Sequence, residues 1–327
     1  MRLHRFTRHW LAALGACMAF GAHAADSAGS PTRPVQLIVS YAPGNVTDLL
    51  ARIIAEQLAQ KWGQPVTVDN RPGQGGSLGA QAAVRAANDG YTLLFSAMAA
   101  FAINPHVYSS VGYDPLKDFA PIVGVAYPEG VLAASLATPA STLPELVAYS
   151  KANPGALNYG SPGNGTVPQL NMELLKAQTG LVAQHVPYKA ATASATDLIA
   201  GRIQLLQYTT SVLLPQIQDG KVKALASMTP ERLKQLPDVP AIAEVVPGFE
   251  PVVPWLGILA PAGTPAAIVD KVYRDVGDIL QQPAVREKLA INGMQVLDAP
   301  PARFGDMIKA DYDRLGKLVA ELDLKVD

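Results

Sequence analysis

Val35-Gln36-Leu37-Ile38-Val39-Ser40-Tyr41-Ala42-Pro43-Gly44-Asn45-Val46-Thr47-Asp48 is the stretch from which the fold is read. Val35–Val39 is a short apolar run of the kind that forms a buried strand. Residues 48–62 then read as a helix, with Leu50, Ile53, Ile54 and Leu58 on one face and Gly63 as its stop. Working outward, residues 66–68 predict a strand, 76–87 a helix and 91–95 a further strand. This β-α-β-α-β order implies a mainly parallel sheet covered by helices. A second set follows, with helices over 143–151, 167–178, 192–200 and 212–219 and strands over 157–159, 184–186, 204–208 and 222–226. Helices over 265–280 and 301–322 close the chain, and two α/β domains suit the pattern better than one large sheet.

The turn after the first strand has a counterpart. Tyr41-Ala42-Pro43-Gly44-Asn45 leads from a strand into a helix, and Tyr159-Gly160-Ser161-Pro162-Gly163-Asn164 does the same 119 residues later. Ligands of open α/β sheets sit at such carboxyl ends of strands. Glycine lets the backbone approach a ligand, and the first N–H groups of a helix lack internal partners. A carboxylate there gains charge-assisted hydrogen bonds and a dipole contribution of about 0.3–1 kcal/mol. Two such turns facing each other would clamp an organic anion. Asn45-Val46-Thr47-Asp48 and Thr166-Val167-Pro168-Gln169 also match capping boxes, so either turn alone is explained by a helix cap. The pair on equivalent elements favours the clamp.

The 327 residues carry 26 Lys and Arg against 27 Asp and Glu, so a basic surface for nucleic acid is excluded. With 49% hydrophobic and only 16% charged residues the chain can bury a large core. Residues 1–24 predict a signal peptide: Arg2, Arg5 and Arg8, an apolar run over 10–22, then Ala22-His23-Ala24 as a small-x-small cleavage site. Its removal leaves a net charge of −4 and takes away the single cysteine, Cys17. Leu14-Gly15-Ala16-Cys17 also resembles a lipoprotein box, which would leave the chain anchored through Cys17. Either processing route predicts a periplasmic protein without disulfides.

Catalytic patterns are weak. Gly75-Gly76-Ser77-Leu78-Gly79 matches G-x-S-x-G, and Ser77, Asp118 and His185 follow hydrolase order. A nucleophile elbow needs its serine directly on a strand end, and here residues 70–74 intervene. Outside the leader only His106 and His185 remain, without metal-ligand spacing, so no metal site is expected. His185, beside a strand, reads as structural. No dinucleotide fingerprint or Walker A sequence is present, and no enzyme is expected.

Pro43-Gly44-x-x-x-Asp48-x-x-Ala51-Arg52 is similar to the opening loop of the Bug family, the extracytoplasmic receptors of tripartite tricarboxylate transporters. The likeness continues through Asp69-Asn70-Arg71-Pro72-Gly73, Asp89-Gly90-Tyr91-Thr92-Leu93-Leu94, Ile103-Asn104-Pro105 and Tyr113-Asp114-Pro115. Gly163-Asn164-Gly165-Thr166, His185-Val186-Pro187-Tyr188-Lys189, Leu236-Pro237-Asp238-Val239-Pro240 and Ala260-Pro261-Ala262-Gly263-Thr264-Pro265 extend it over most of the chain. The resemblance implies an α/β type II periplasmic binding protein fold, two lobes joined by crossover strands with the ligand cleft between them. Lobe 1 would span 25–130 plus 255–327 and lobe 2 would span 131–254. It implies ligand contacts from Tyr41, Gly44, Asn45, Thr47, Asp48 and Ser96 in lobe 1, and from Ser161, Asn164, Gly165 and Thr166 in lobe 2. No cofactor is implied. The expected partners are a small organic carboxylate and membrane permease subunits, with the protein itself a monomer. A periplasmic ligand sensor for a signalling partner is the alternative with the same site.

Two departures bear on the ligand. Asn45 stands where many relatives have a second glycine. Leu206-Gln207-Tyr208-Thr209-Thr210 lacks the Phe-Asp pair that many carry at that strand end, so a ligand amino group has one partner fewer. Ala97-Met98-Ala99-Ala100-Phe101 reads either as an apolar cleft wall or as ordinary core. A dicarboxylate or aromatic carboxylate without an amine is therefore favoured over an amino acid.

Overall fold

A computed structural model describes residues 30–163, 166–188, 191–322 and Leu324. The predicted signal peptide, Cys17, Asn164, Gly165 and Lys189 lie outside the described residues.

In chain order the elements are β1 (Val35–Val39), α1 (Val46–Trp62), β2 (Val66–Asn70), α2 (Ser77–Val84), β3 (Thr92–Ala97), α3 (Asn104–Val107), β4 (Phe119–Pro128) and β5 (Gly130–Ser135). They continue with α4 (Leu143–Ala152), β6 (Asn158–Ser161), α5 (Val167–Thr179), β7 (Gln184–Pro187), α6 (Ala191–Ile199), β8 (Leu205–Thr209), α7 (Thr210–Gln218) and β9 (Val222–Ser227). The last are α8 (Ile242–Val245), β10 (Leu256–Pro261), α9 (Ala266–Gln281), α10 (Pro283–Ile291), β11 (Met294–Ala299) and α11 (Pro301–Glu321).

These strands form two sheets, one ordered β11-β4-β10-β3-β1-β2 and the other β7-β6-β8-β5-β9. The chain passes from the first sheet to the second at Glu129, between β4 and β5, and is back in the first sheet from Leu256. Both sheets are mixed, which corrects the expectation of mainly parallel pairing. β1 runs parallel to β2 and β3, but β10 is antiparallel to β3 and β4, and β11 is antiparallel to β4. In the second sheet β6 is parallel to β7 and β8, whereas β5 is antiparallel to β8 and β9. The antiparallel members β4, β5, β10 and β11 carry no period-2 signal. All six residues of β5 and of β10 are buried, and such short apolar runs cannot be told from helix by periodicity.

Strand alternation divides the core. In β1, Val35, Leu37 and Val39 face α1 and α9, where they meet Leu50, Ile54, Val276 and Ile279. Ile38 faces the other way, into a cluster with Phe101, Trp255 and Phe304. β5 repeats the pattern, with Leu132 and Ala134 in one cluster and Val131 and Ala133 in another. Each sheet is thus covered on both faces.

Close packing at the centre of the first sheet dictates one glycine. A Cβ on Gly257 would lie 2.2 Å from the Phe304 ring and 2.9 Å from the Val123 carbonyl oxygen. Gly257→Ala is expected to destabilise the fold by about 1–3 kcal/mol through overpacking, read as a lowered melting temperature in thermal denaturation.

Candidate functional site

A cleft of about 720 Å³ opens at the carboxyl ends of β1 and β3 and the amino ends of α1, α5 and α7. Its first-sheet side includes Tyr41, Gly44, Asn45, Thr47 and Asn104; Thr166, Val167, Tyr208, Thr209 and Ser211 lie on the other. The described lining residues include no Asp, Glu, Lys or Arg. Polar character comes from hydroxyls, side-chain amides and the backbone.

The opening loop is held from behind. Asn45 is the N-cap of α1, its side-chain oxygen accepting the Thr47 N–H at 2.9 Å. Gly44, at φ +81°, takes the left-handed conformation that glycine permits and donates its N–H to Asp48 Oδ2 at 2.9 Å. Asp48 is buried and also accepts from Arg52 Nε at 3.0 Å and Asn70 Nδ2 at 2.8 Å. The same Asn70 amide donates to the Tyr41 carbonyl oxygen at 2.9 Å. Burial opposes the Asp48 charge, but Arg52, the Gly44 N–H and Asn70 outweigh it and hold the carboxyl below its usual range.

Tyr41 donates to the Gly75 carbonyl oxygen at 3.1 Å, fixing the loop over the turn that precedes α2. Asn104 Nδ2 reaches the same turn, 2.7 Å from the Gln74 carbonyl oxygen and 2.9 Å from Ser77 Oγ. Burial pushes the phenols of Tyr41 and Tyr208 up, with the neighbouring Tyr113 adding to the Tyr41 effect. Both stay neutral O–H groups at physiological pH.

Helices α5 and α7 begin differently from α1. Their N-cap residues, Thr166 and Thr209, make no side-chain capping bond. The Thr166 hydroxyl instead donates to the Gly163 carbonyl oxygen at 2.7 Å, and the Thr209 hydroxyl pairs with Ser211 Oγ at 2.9 Å. This corrects the reading of residues 166–169 as a capping box. Three helix amino ends therefore border one cleft, each carrying the positive end of its dipole.

Of the residues expected to touch a ligand, Tyr41, Gly44, Asn45, Thr47 and Thr166 line the cleft. Asp48, Ser96 and Ser161 lie behind its surface. Ser96 is buried and accepts from Ser40 Oγ at 3.0 Å. Ser161 is buried, donates to the Gly163 carbonyl oxygen at 3.0 Å and lies 2.6 Å from His185 Nε2. His185 stacks on Tyr159 with ring centroids 4.9 Å apart, a structural role as expected. Asn164 and Gly165 are not among the described residues.

The stretch 97–101 divides: Ala97 and Ala99 line the cleft, whereas Met98 and Phe101 are core. Phe101 packs 5.0 Å from Phe119 and 5.9 Å from Trp255, centroid to centroid. The hydrolase alternative does not assemble, since Ser77 pairs with Asn104 and Tyr113 in the first half and His185 with Ser161 in the second. Tyr208, Thr209 and Ser211 line the cleft without being among the expected contacts, although the strand end 206–210 is singled out in the sequence for the acid it lacks. Their signal was the strand-to-helix junction at 208–212, which lacks the Pro-Gly-Asn of the other two turns.

Residues 50–324 match the model of the tripartite tricarboxylate transporter family receptor. The chain belongs to that family. It is a solute-binding receptor, and the family is one of receptors rather than enzymes. Protein BugT of Bordetella pertussis is 33% identical over 299 residues, spanning 90% of this receptor and 91% of BugT. Among solved structures, Rpa4515 of R. palustris with adipate is 32% identical with a TM-score of 0.80, covering 90% of the receptor and 99% of that chain. MatC from Rhodopseudomonas palustris with bound malate is 30% identical with a TM-score of 0.76, covering 88% and 99%. The receptor has the fold of the periplasmic binding protein BugD, to which it is 32% identical with a TM-score of 0.77, covering 90% of the receptor and 99% of that chain. No helix among its described residues is long and apolar enough to cross a membrane.

Asp48→Ala is expected to cost about 2–3 kcal/mol at pH 7, because the Gly44 N–H, Asn70 and Arg52 lose their common acceptor. The folded Asp48 carboxyl titrates below its unfolded value of about 3.9, so its stabilisation is complete above that pH. It is lost as the pH falls through the lower folded value. Melting temperatures of wild type and variant should therefore differ at pH 7 and converge toward pH 2.

Proposed function

We propose that this receptor captures a small amine-free carboxylate, a dicarboxylate or an aromatic acid, between two lobes and presents it to membrane permease subunits. The observation that carries the reading is the lining: three helix amino ends border a cleft with no charged side chain among its described lining residues. Such a site attracts a carboxylate through peptide dipoles and neutral donors. It offers no counter-charge to an ammonium group, which would be desolvated at a net cost. The apolar residues Val46, Ala97, Ala99 and Val212 suit the hydrocarbon part of such an acid. The adipate and malate of the two R. palustris structures fall within this class.

In this reading lobe 1 comprises residues 25–130 and 255–327 and lobe 2 residues 131–254, a division supported by the sheet change at Glu129. Tyr41, Gly44, Asn45 and Thr47 meet one end of the ligand, and Thr166, Tyr208 and Thr209 meet the other. Asp48 acts through Gly44, and Ser96 and Ser161 support the loops. The leader is cleaved near Ala24, and the mature protein works in the periplasm as a monomer.

Calorimetric titration with adipate, malate, glutarate, benzoate, glutamate and aspartate tests the proposal. An amine-free acid at 100 times its dissociation constant should stabilise the fold by about 2.7 kcal/mol. Thr209→Val, which removes one hydroxyl at the α7 amino end, should weaken it about three- to tenfold. Tighter binding of glutamate than of glutarate would overturn the amine-free assignment, and no response to any acid would overturn the carboxylate class.

A further inference from the structure

The walls of the cleft divide by chemistry. Ala97, Ala99, Val107, Val167, Pro254 and Leu256 make one apolar sector of its lining. The parts of that sector are joined. Leu256 stands opposite Ala97 in the β10–β3 ladder, and the Met98 N–H donates to the Trp255 carbonyl oxygen at 3.0 Å, which holds residues 97–99 against 254–256. Val107 and Val167 belong to the same buried cluster as Trp255, and Ala99 packs against it. Val107 ends α3 in the first half and Val167 opens α5 in the second, so the sector is built from both sides of the cleft. Ala99 and Pro254 are partly exposed there, and the other four form a largely buried floor.

Polar atoms at this sector are few and already committed. Asn104 lines the cleft beside Val107, but its Nδ2 donates to the Gln74 and Gly75 carbonyl oxygens, at 2.7 and 3.1 Å, and to Ser77 Oγ at 2.9 Å. Its two amide protons are thereby spent. Pro168, the second residue of α5, carries no N–H. Tyr108 contributes the one hydroxyl at the sector that makes no hydrogen bond among the described residues, a single O–H donor rather than a counter-charge. The hydroxyls of the second half lie toward the other crossover instead. The Thr210 N–H donates to the Glu129 carbonyl oxygen at 2.9 Å, and this places Tyr208, Thr209 and Ser211 at the passage from the first sheet to the second.

We propose that the cleft selects monocarboxylates with an apolar body, an alkyl chain or an aryl ring on a single carboxylate, over diacids. The assignment rests on the carboxylate reading above and narrows it. The carboxylate takes the hydroxyl-rich end at the start of α7, and the chain or ring fills the sector between Ala97, Ala99 and Pro254. A second carboxylate at the far end of the ligand would lose its water against alanine, valine and proline, with no cationic side chain among the described lining residues to compensate. An apolar tail gains from the same burial. The narrower class sets this receptor apart from the two R. palustris neighbours with adipate and malate.

Matched acids that differ only at the far end test the assignment by calorimetric titration of the full receptor: butyrate against succinate, hexanoate against adipate, and benzoate against terephthalate. Each monoacid should bind at least tenfold more tightly than its diacid. From butyrate to hexanoate each added methylene should tighten binding about fourfold. Ala99→Arg, which brings a cation into the sector at a partly exposed position, should reverse the order of hexanoate and adipate, with the melting temperature of the unliganded variant reporting its fold. A diacid that binds wild type more tightly than its monoacid overturns the monocarboxylate class and leaves the carboxylate reading intact. Binding that is indifferent to chain length, or a folded Ala99→Arg receptor with the wild-type order, places the tail outside this sector and overturns the assignment as well. Failure of all six acids overturns the carboxylate reading itself and this assignment with it.

Discussion

A cleft walled by neutral side chains can draw a carboxylate only through oriented peptide groups, and the architecture is arranged around that constraint. Strands β1, β6 and β8 each deliver the chain to the amino end of a helix that borders the same space. At α5 and α7 the threonine that could cap the helix turns its hydroxyl elsewhere. Uncapped amino ends cost stability in isolation, typically about 1 kcal/mol each, which the fold tolerates at the place where a ligand can supply the missing acceptor.

Charge is present near the cleft but is kept one layer back. The Asp48–Arg52 pair and the Asn70 amide secure the Tyr41–Asn45 loop without entering the lining. The arrangement separates two tasks. Ionic hydrogen bonds give the loop its shape, and neutral donors face the space, so binding an anion requires no guanidinium or ammonium to shed its water first.

How far the sequence reveals this depends on the kind of signal. The helices and the parallel strands β1, β2 and β3 announce themselves through 3.6-residue periodicity and glycine stops, and the two Pro-Gly-Asn turns point to the site before any coordinates. Strand β10 is buried throughout and β4 from Ile122 to Ala126, without alternation and interrupted by Pro121, Gly124 and Gly257, so the antiparallel half of the first sheet has no local signature. Tyr208 and Thr209 reach the cleft through the position of β8 beside β5, which is a tertiary fact. Asp48 and Ser96 sit at the right places in the chain but face inward, and only packing distinguishes a lining residue from the one behind it.

The place of β10 has a consequence for how the molecule is made. It lies between β3 and β4 in the first sheet, yet it follows them in sequence only after all five strands of the second. A chain emerging from its amino end can complete the second sheet while the first still lacks its central strand, with β3 and β4 exposing unpaired edges. Closing that gap requires contacts of long sequence separation, which are slow to form. Every strand of the second sheet lies in one continuous stretch, Gly130–Ser227, whereas the first sheet is complete only when the carboxyl-terminal segment supplies β10 and β11.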